Sequence, residues 1–181
     1  DCADAYSSMY IEPYILYVSH FHFYKNHVRL IEAFKICLES KTFSGKLVLV
    51  GSKPDSRYYK KVRNKIKKEG LDQKVVILPA TNAKDLRLMY KKAAAFVFPS
   101  LIENCPNVLL EAFAANAVIC ASNYPPNPEF FGEAIQYFNP LNSNNIADCL
   151  GSVLAVSNQN NKKRSTKDLE NLFSWEKFTI K

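Results

Sequence analysis

The residues best equipped for chemistry in this chain lie in two short stretches. "SHFHFYKN" (19–26) carries His20, His22 and Lys25, and "ENCPNVLLEA" (103–112) carries Glu103 and Glu111, eight positions apart. A lysine beside a helix start joins a full positive charge to the free N–H groups of the helix end, which suits a phosphate or diphosphate. Two carboxylates accept hydrogen bonds from hydroxyl groups, which sugars present in abundance. Pro106 suits the first turn of a helix, so the N–H groups of Asn107, Val108 and Leu109 are expected to be unpaired donors facing a ligand. One helical turn separates Asn107 from Glu111, which places Glu111 beside the same cleft as Glu103. Each residue also has a plainer reading. Glu111 is then an exposed helix residue, Glu103 an acid complementing the helix dipole, Lys25 a surface cation, and the histidines caps or packing.

Other chemistries find less support. His20 and His22 at i, i+2 lack a third ligand nearby in sequence, so no metal site is assigned. The first loop holds no glycine, which rules out the G-x-G-x-x-G dinucleotide fingerprint. The cysteines (Cys2, Cys37, Cys105, Cys120 and Cys149) are odd in number, widely spaced and free of any C-x-x-C pair. That pattern argues against a disulfide framework or zinc and fits a reducing, cytoplasmic setting. Cys37 and Cys120 sit in apolar runs as small core residues.

These residues need elements to place them. Six short apolar runs read as strands: 14–19, 46–51, 74–78, 95–99, 118–122 and 135–138. Most are continuous rather than alternating, as in strands covered on both faces. Helical periodicity separates them. Residues 27–40 put Leu30, Ala33, Phe34 and Cys37 on one face. Residues 83–93 do so with Leu86, Met89 and Tyr90, capped by Asn82 or Thr81, and 143–156 repeat the pattern with Ser143 or Asn144 as cap. The alternation predicts an α/β fold: a Rossmann-like open parallel sheet of about six strands with helices on both faces. Ligands in such sheets bind outside the carboxyl ends of the strands, at the loops that carry Lys25 and Glu103.

At 181 residues the chain suits one domain, 1–181, with a leading segment 1–12 and, at 157–181, a polar loop and a truncated C-terminal helix. It opens "DCADAYSSMY", without an initiator Met or a signal pattern, and stops at "SWEKFTIK" in a helical pattern, which reads as a piece of a longer protein. No run approaches the roughly 20 apolar residues of a membrane span. Net charge is +7, much of it in "RYYKKVRNKIKKEG" (57–70). That stretch is either the solvated face of a helix turning Val62 and Ile66 inward, or a surface drawn to phosphates or an anionic membrane. No nucleic-acid motif accompanies the charge.

In order and spacing, "YILYVSHFHFYKNHVRLIEAF", "LVLVG", "VVIL" and "DLRLMYKKAAAFVFPSLIENCPNVLLEAFAANAVICASNYPPNPEFFGEAIQYFNP" resemble the donor-binding half of retaining glycosyltransferases of the two-domain GT-B architecture, glycosyl transferases group 1 type. The likeness spans about residues 12–156. A glutamate pair alone is a weak signal; after a strand ending "VFPS" it is specific. The resemblance implies that Glu103 bonds the transferred sugar's hydroxyls, Glu111 the ribose, and Lys25 the donor diphosphate. It makes Glu103 and Lys25 the catalytic pair. It further implies phosphate contacts from the amides of Asn107 and Val108, base reading by the segment holding Pro79, Ala80 and Asn82, and binding roles for His20, Asn104, Cys105 and Leu109. The substrate would be a nucleoside-diphosphate sugar, with no cofactor and no metal required.

Three departures from the family pattern stand out. Ser19-His20 replaces a usual Gly-Arg, Asn104-Cys105-Pro106 replaces a glycine-rich loop, and Asn116 and Val118 replace a common Gly and Pro. The first exchange turns a fixed cation into a titratable imidazole. The resemblance also implies a partner outside this chain, an N-terminal acceptor-binding domain, and a glycan or lipid-linked acceptor. The expected location is cytoplasmic, with room for peripheral contact at the inner face of the membrane. Alternatives are a non-catalytic nucleotide-sugar-binding or scaffolding domain of the same fold, and, last, a sugar epimerase of the same plan.

Overall fold

The computed structural model describes residues 12–159. Six strands follow in chain order: β1 Tyr14–Val18, β2 Lys46–Val50, β3 Val75–Leu78, β4 Ala95–Phe98, β5 Ile119–Ser122 and β6 Gln136–Phe138. Each falls within the apolar run that predicts it. All pair in parallel in the order β3-β2-β1-β4-β5-β6, with β1 central between Leu47 of β2 and Ala95 of β4 at Ile15. β1, β4 and β5 are buried along their whole length, as continuous apolar runs require, whereas β3 and β6 at the edges are partly exposed.

The helices are α1 His27–Glu39, α2 Ser56–Lys68, α3 Ala83–Lys92, α4 Asn107–Ala114, α5 Asn127–Phe131 and α6 Ser143–Gln159. The chain moves outward from β1 to β3 through α1 and α2, then returns through α3 to β4 and moves the other way. Right-handed crossovers therefore put α1 and α2 on one face and α3 and α4 on the other. In keeping with this, α1 packs on α2 and α6, and α3 packs on α4.

Local sequence explains the helix ends and faces. α1 buries Leu30, Ala33, Phe34 and Cys37 together with His27 and Ile31. α2 buries Tyr58, Val62 and Ile66 at i, i+4, i+8, and Asp55 caps it by accepting from Tyr58 N at 2.9 Å. On its flank Lys65 meets Glu32 at 2.7 Å and Glu69 at 2.9 Å, while Lys35 meets Glu69 at 2.7 Å, tying α1 to α2. α4 ends in a left-handed residue, Asn116 at φ 59°, with Ala117 N donating to Ala112 O at 3.0 Å. Glycine is common there because the conformation costs it least, and asparagine is among the few residues that also tolerate it.

Two expectations need correction. α6 is capped by Asn142, not Ser143 or Asn144: its Oδ1 accepts from Asn144 N at 3.0 Å and Asn145 N at 3.2 Å. α6 also continues through Gln159, because the polar residues after 156 include no glycine or proline to stop it; the expected polar loop from 157 begins as helix. The rest of that segment, and residues 1–11, lie outside the described residues. The short helix α5, five residues long, begins in a proline-rich stretch. It is held by buried Asn127, whose Nδ2 donates to Ser122 O at 3.1 Å and to Ser122 Oγ at 2.9 Å. No helix among the described residues is long and apolar enough to cross a membrane.

Candidate functional site

β1 and β4 are neighbours where the strand order reverses, so the loops leaving them diverge and open a crevice. The loop after β1 is fixed from several sides. Ser19 N donates to Val50 O and Phe21 N to Ser52 O, each at 2.9 Å. This close approach requires Gly51, since a Cβ there would lie 1.9 Å from Ser19 O. A 3₁₀ turn, Phe23–Lys25, follows, and then Asn26 at φ 60°. Tyr17, wholly buried beneath the turn, donates its hydroxyl to Lys25 O at 2.8 Å and lies 3.4 Å from Ser100 Oγ. Asn26 Nδ2 donates to Pro99 O at 3.2 Å and Pro140 O at 2.8 Å, and Leu101 N donates to Tyr24 O at 2.8 Å. The loops after β1, β4 and β6 are thus one bonded unit.

This unit brings Lys25 and Glu103 together: Nζ lies 2.5 Å from Oε1. Both line a cleft of about 340 Å³ with Ser19, His20, Gly51, Ser52, Ala80 and Thr81 along its walls. His20 Nε2 lies 3.0 Å from the Tyr24 hydroxyl. Burial, then Lys25, then His22 push the His20 pKa below its usual value, with Glu103 opposing. The imidazole is therefore neutral at pH 7 and is no standing substitute for an arginine. Beneath it, His27 is stacked on Phe21 at 4.4 Å, lies 3.1 Å by Nε2 from Ser19 Oγ, and has its pKa lowered to about 3, chiefly by burial.

The start of α4 differs in detail from the expectation. Pro106, at φ −83° and ψ 59°, centres an inverse γ-turn in which Asn107 N donates to Cys105 O at 2.9 Å. The Asn107 amide is therefore not free. Leu110 N already donates to Pro106 O at 3.0 Å, which leaves the Val108 and Leu109 amides without a protein acceptor among the described residues. Leu109 is fully buried and only Val108 of the two lines the cleft, so one free donor, not three, faces outward at the helix end.

Glu111 is exposed one turn further on, in an adjoining cavity of about 620 Å³. Tyr90, from α3, donates its hydroxyl to Glu111 Oε2 at 3.2 Å. Both cavities are lined by Thr81 and Leu86, so the two glutamates stand along one continuous wall. Of the remaining residues singled out by sequence, Ala80, Cys105, Asn107 and Val108 line the cleft, with Cys105 Sγ donating to Asn107 Oδ1 at 3.2 Å. Pro79, Asn82 and Asn104 are exposed and outside it, and the Leu109 side chain is buried. Asn82 instead caps α3, accepting from Asp85 N at 2.9 Å.

Sequence reasoning did not single out Gly51 and Ser52 as site residues, although "LVLVGS" ends a strand at the correct sheet edge; Thr81 falls within the segment expected to read the base. Nothing local marks Tyr17 or Tyr90: Tyr17 meets Lys25 O eight positions on and Ser100 83 positions on, and Tyr90 meets Glu111 21 positions on. Among the described residues no group of three His, Cys, Asp or Glu is placed to hold a metal.

A family model described as glycosyl transferases group 1 matches residues 11–167. Among solved structures, sucrose-phosphate synthase from Thermosynechococcus elongatus superposes with a TM-score of 0.79 at 24% identity, over 97% of this chain and 45% of its own. A glycosyltransferase from Rickettsia africae gives 0.74 at 19%, over 86% and 41%. Anabaena HepE, solved with UDP and glucose, gives 0.70 at 15%, over 99% and 52%. At these identities the likeness is one of fold, and the chain spans about half or less of each of these structures. No curated protein sequence matches.

Proposed function

The chain belongs to the glycosyl transferases group 1 family, and from that premise we propose that it is the donor-binding domain of a retaining glycosyltransferase that takes a nucleoside-diphosphate sugar. One observation carries the reading: the fold brings Lys25 and Glu103 from separate loops to the switch point, beside the start of α4, where the Val108 amide is free. In this reading Lys25 Nζ and the Val108 amide take the diphosphate. Glu103 accepts from sugar hydroxyls, Glu111 from the ribose, and the backbone around Ala80 and Thr81 meets the base. That HepE was solved with UDP and glucose supports a ligand of this class.

Chemistry in such a site is positioning and stabilisation of the leaving group. The bond from the anomeric carbon to the diphosphate breaks with its electron pair on the phosphate oxygen. Lys25 and the Val108 amide stabilise that charge, so no metal is invoked. The acceptor hydroxyl bonds the same carbon and gives up its proton, which the freed diphosphate oxygen can accept. A further domain of the same protein would supply the acceptor site, and a glycan or lipid-linked acceptor fits the reading. The exposed cations of α2 (Arg57, Lys60, Lys61, Arg63, Lys67 and Lys68) support peripheral attraction to an anionic membrane.

Calorimetric titration of the 181-residue chain with UDP, GDP and ADP tests the reading; binding of one is expected. Lys25→Ala should weaken it about 10–100-fold, the range of a charge-assisted hydrogen bond. Glu111→Ala should also weaken it. No heat with any nucleotide, or both variants binding like the unaltered chain, would overturn the assignment. A neutral His20 in the usual arginine position favours a second reading, a binding or scaffolding domain without transferase activity. Sugar transfer by the full-length protein would exclude it.

A further inference from the structure

Lys25 and Glu103 are each other's ionic partners, at 2.5 Å, with side chains 10% and 12% exposed. They are not two loose surface chains. Their loops are bonded together by Leu101 N to Tyr24 O and by Asn26 Nδ2 to Pro99 O. The rings of Tyr24 and Phe98 lie 5.2 and 5.9 Å from the ammonium and shield it further. Among the described residues lining the cleft, Lys25 is the one fixed cation and Glu103 the one acid, so their pairing makes the floor of the cleft close to neutral.

We infer that Lys25 and Glu103 form an exchangeable pair that makes the site favour an intact nucleotide sugar over the free nucleoside diphosphate. The inference rests on the donor-binding reading and assigns that site a source of selectivity. A diphosphate can take the ammonium only by drawing it from Glu103. The carboxylate is then left beside an anion in a half-buried place, where an unpartnered charge is costly. A sugar on the diphosphate brings hydroxyl donors that satisfy the carboxylate, and both members of the broken pair regain partners. A nucleoside diphosphate without a sugar satisfies Lys25 alone, so Glu103 competes with it. Once the sugar has been transferred, the same imbalance returns Lys25 to Glu103 and promotes release of the nucleotide.

Glu103→Gln separates the two roles, because the amide keeps the shape and an acceptor oxygen but cannot form the ion pair. Calorimetry on both forms of the chain would use UDP, GDP and ADP with UDP-glucose, GDP-mannose and ADP-glucose. For the base that binds, the variant should hold the free diphosphate about tenfold tighter, or about 1.4 kcal/mol. The nucleotide sugar should gain less, so the preference between the two falls. A purely structural role would move both affinities together, and that outcome overturns the inference. So does a variant that binds the free diphosphate no more tightly than the unaltered chain, a result that leaves nucleotide binding itself intact. If the unaltered chain binds none of the six, the donor-binding reading falls and the inference with it. Should the variant not fold, a structure of the unaltered chain with nucleotide sugar decides. The pair should then stand beyond about 4 Å, the limit of an ion pair, and persistence within it would refute the exchange.

Discussion

Under the donor-binding reading, His20 sets the terms on which the site would meet an anion. Burial, Lys25 and His22 lower its pKa, so it is uncharged at pH 7; a bound diphosphate would favour the imidazolium and raise the pKa again. Binding should then take up a proton, and affinity should rise as pH falls from 8 toward 6. A nucleotide sugar is the suitable probe, since its diphosphate has no secondary ionisation in that range. Calorimetry in two buffers of different ionisation enthalpy checks the uptake; an affinity flat across the range, with no proton taken up, would refute it. Glu111 illustrates the same dependence on neighbours. Alone it is an exposed helix carboxylate, and the hydroxyl of Tyr90 from another helix gives it a fixed orientation.

Among the elements, β1, β4 and the loops that leave them do most to shape the site. The sheet twist and the strand reversal separate these loops, and cross-loop bonds from Tyr17, Asn26 and Leu101 draw their tips back together. Gly51 is the tightest point of that arrangement. In Gly51→Ala the new methyl would fall 1.9 Å from Ser19 O and 2.6 Å from Ser19 C, both backbone atoms that cannot rotate aside. The end of β2 must move away from the chain leaving β1, at a cost of about 1–3 kcal/mol. The urea midpoint should fall accordingly and nucleotide binding should weaken with it. Unchanged stability would mean that this approach is looser than described.

For the molecule as a whole, buried His27 links the site's support to acid stability. Its ring is 1% exposed and its folded pKa falls from the usual 6.5 to about 3, so the unfolded chain binds the proton more readily. Above pH 6.5 this group imposes no penalty. Between 6.5 and about 3 the folded state loses about 1.4 kcal/mol per pH unit, or about 2 kcal/mol by pH 5, and below the folded pKa the loss levels off. His27→Gln should be less stable at pH 7, through loss of the Phe21 stack, but should show a shallower decline between pH 6.5 and 4. Urea denaturation across that range measures both slopes. Equal slopes would place the acid sensitivity elsewhere.

The alternation of continuous apolar runs with helical periodicity determines much of this protein by itself. Covered strands, right-handed crossovers and the sheet edge whose loops hold the candidate residues follow from burial and chirality, which act through local pattern. The candidate site was legible to the same extent: Lys25, Glu103 and Glu111 stand out by type, spacing and position after strands. What the chain could not disclose residue by residue are the distances between loops. That Lys25 meets Glu103, that Tyr90 holds Glu111, and that Gly51 lies against Ser19 depend on contacts between separate loops and elements, some between positions far apart in the chain. Even the local turn at Pro106, which removes the Asn107 amide from the site, required coordinates, because proline suits both the first turn of a helix and the turn that precedes it. Composition and periodicity report which face a residue prefers; the partner it meets there is set by how the sheet twists and where its order reverses.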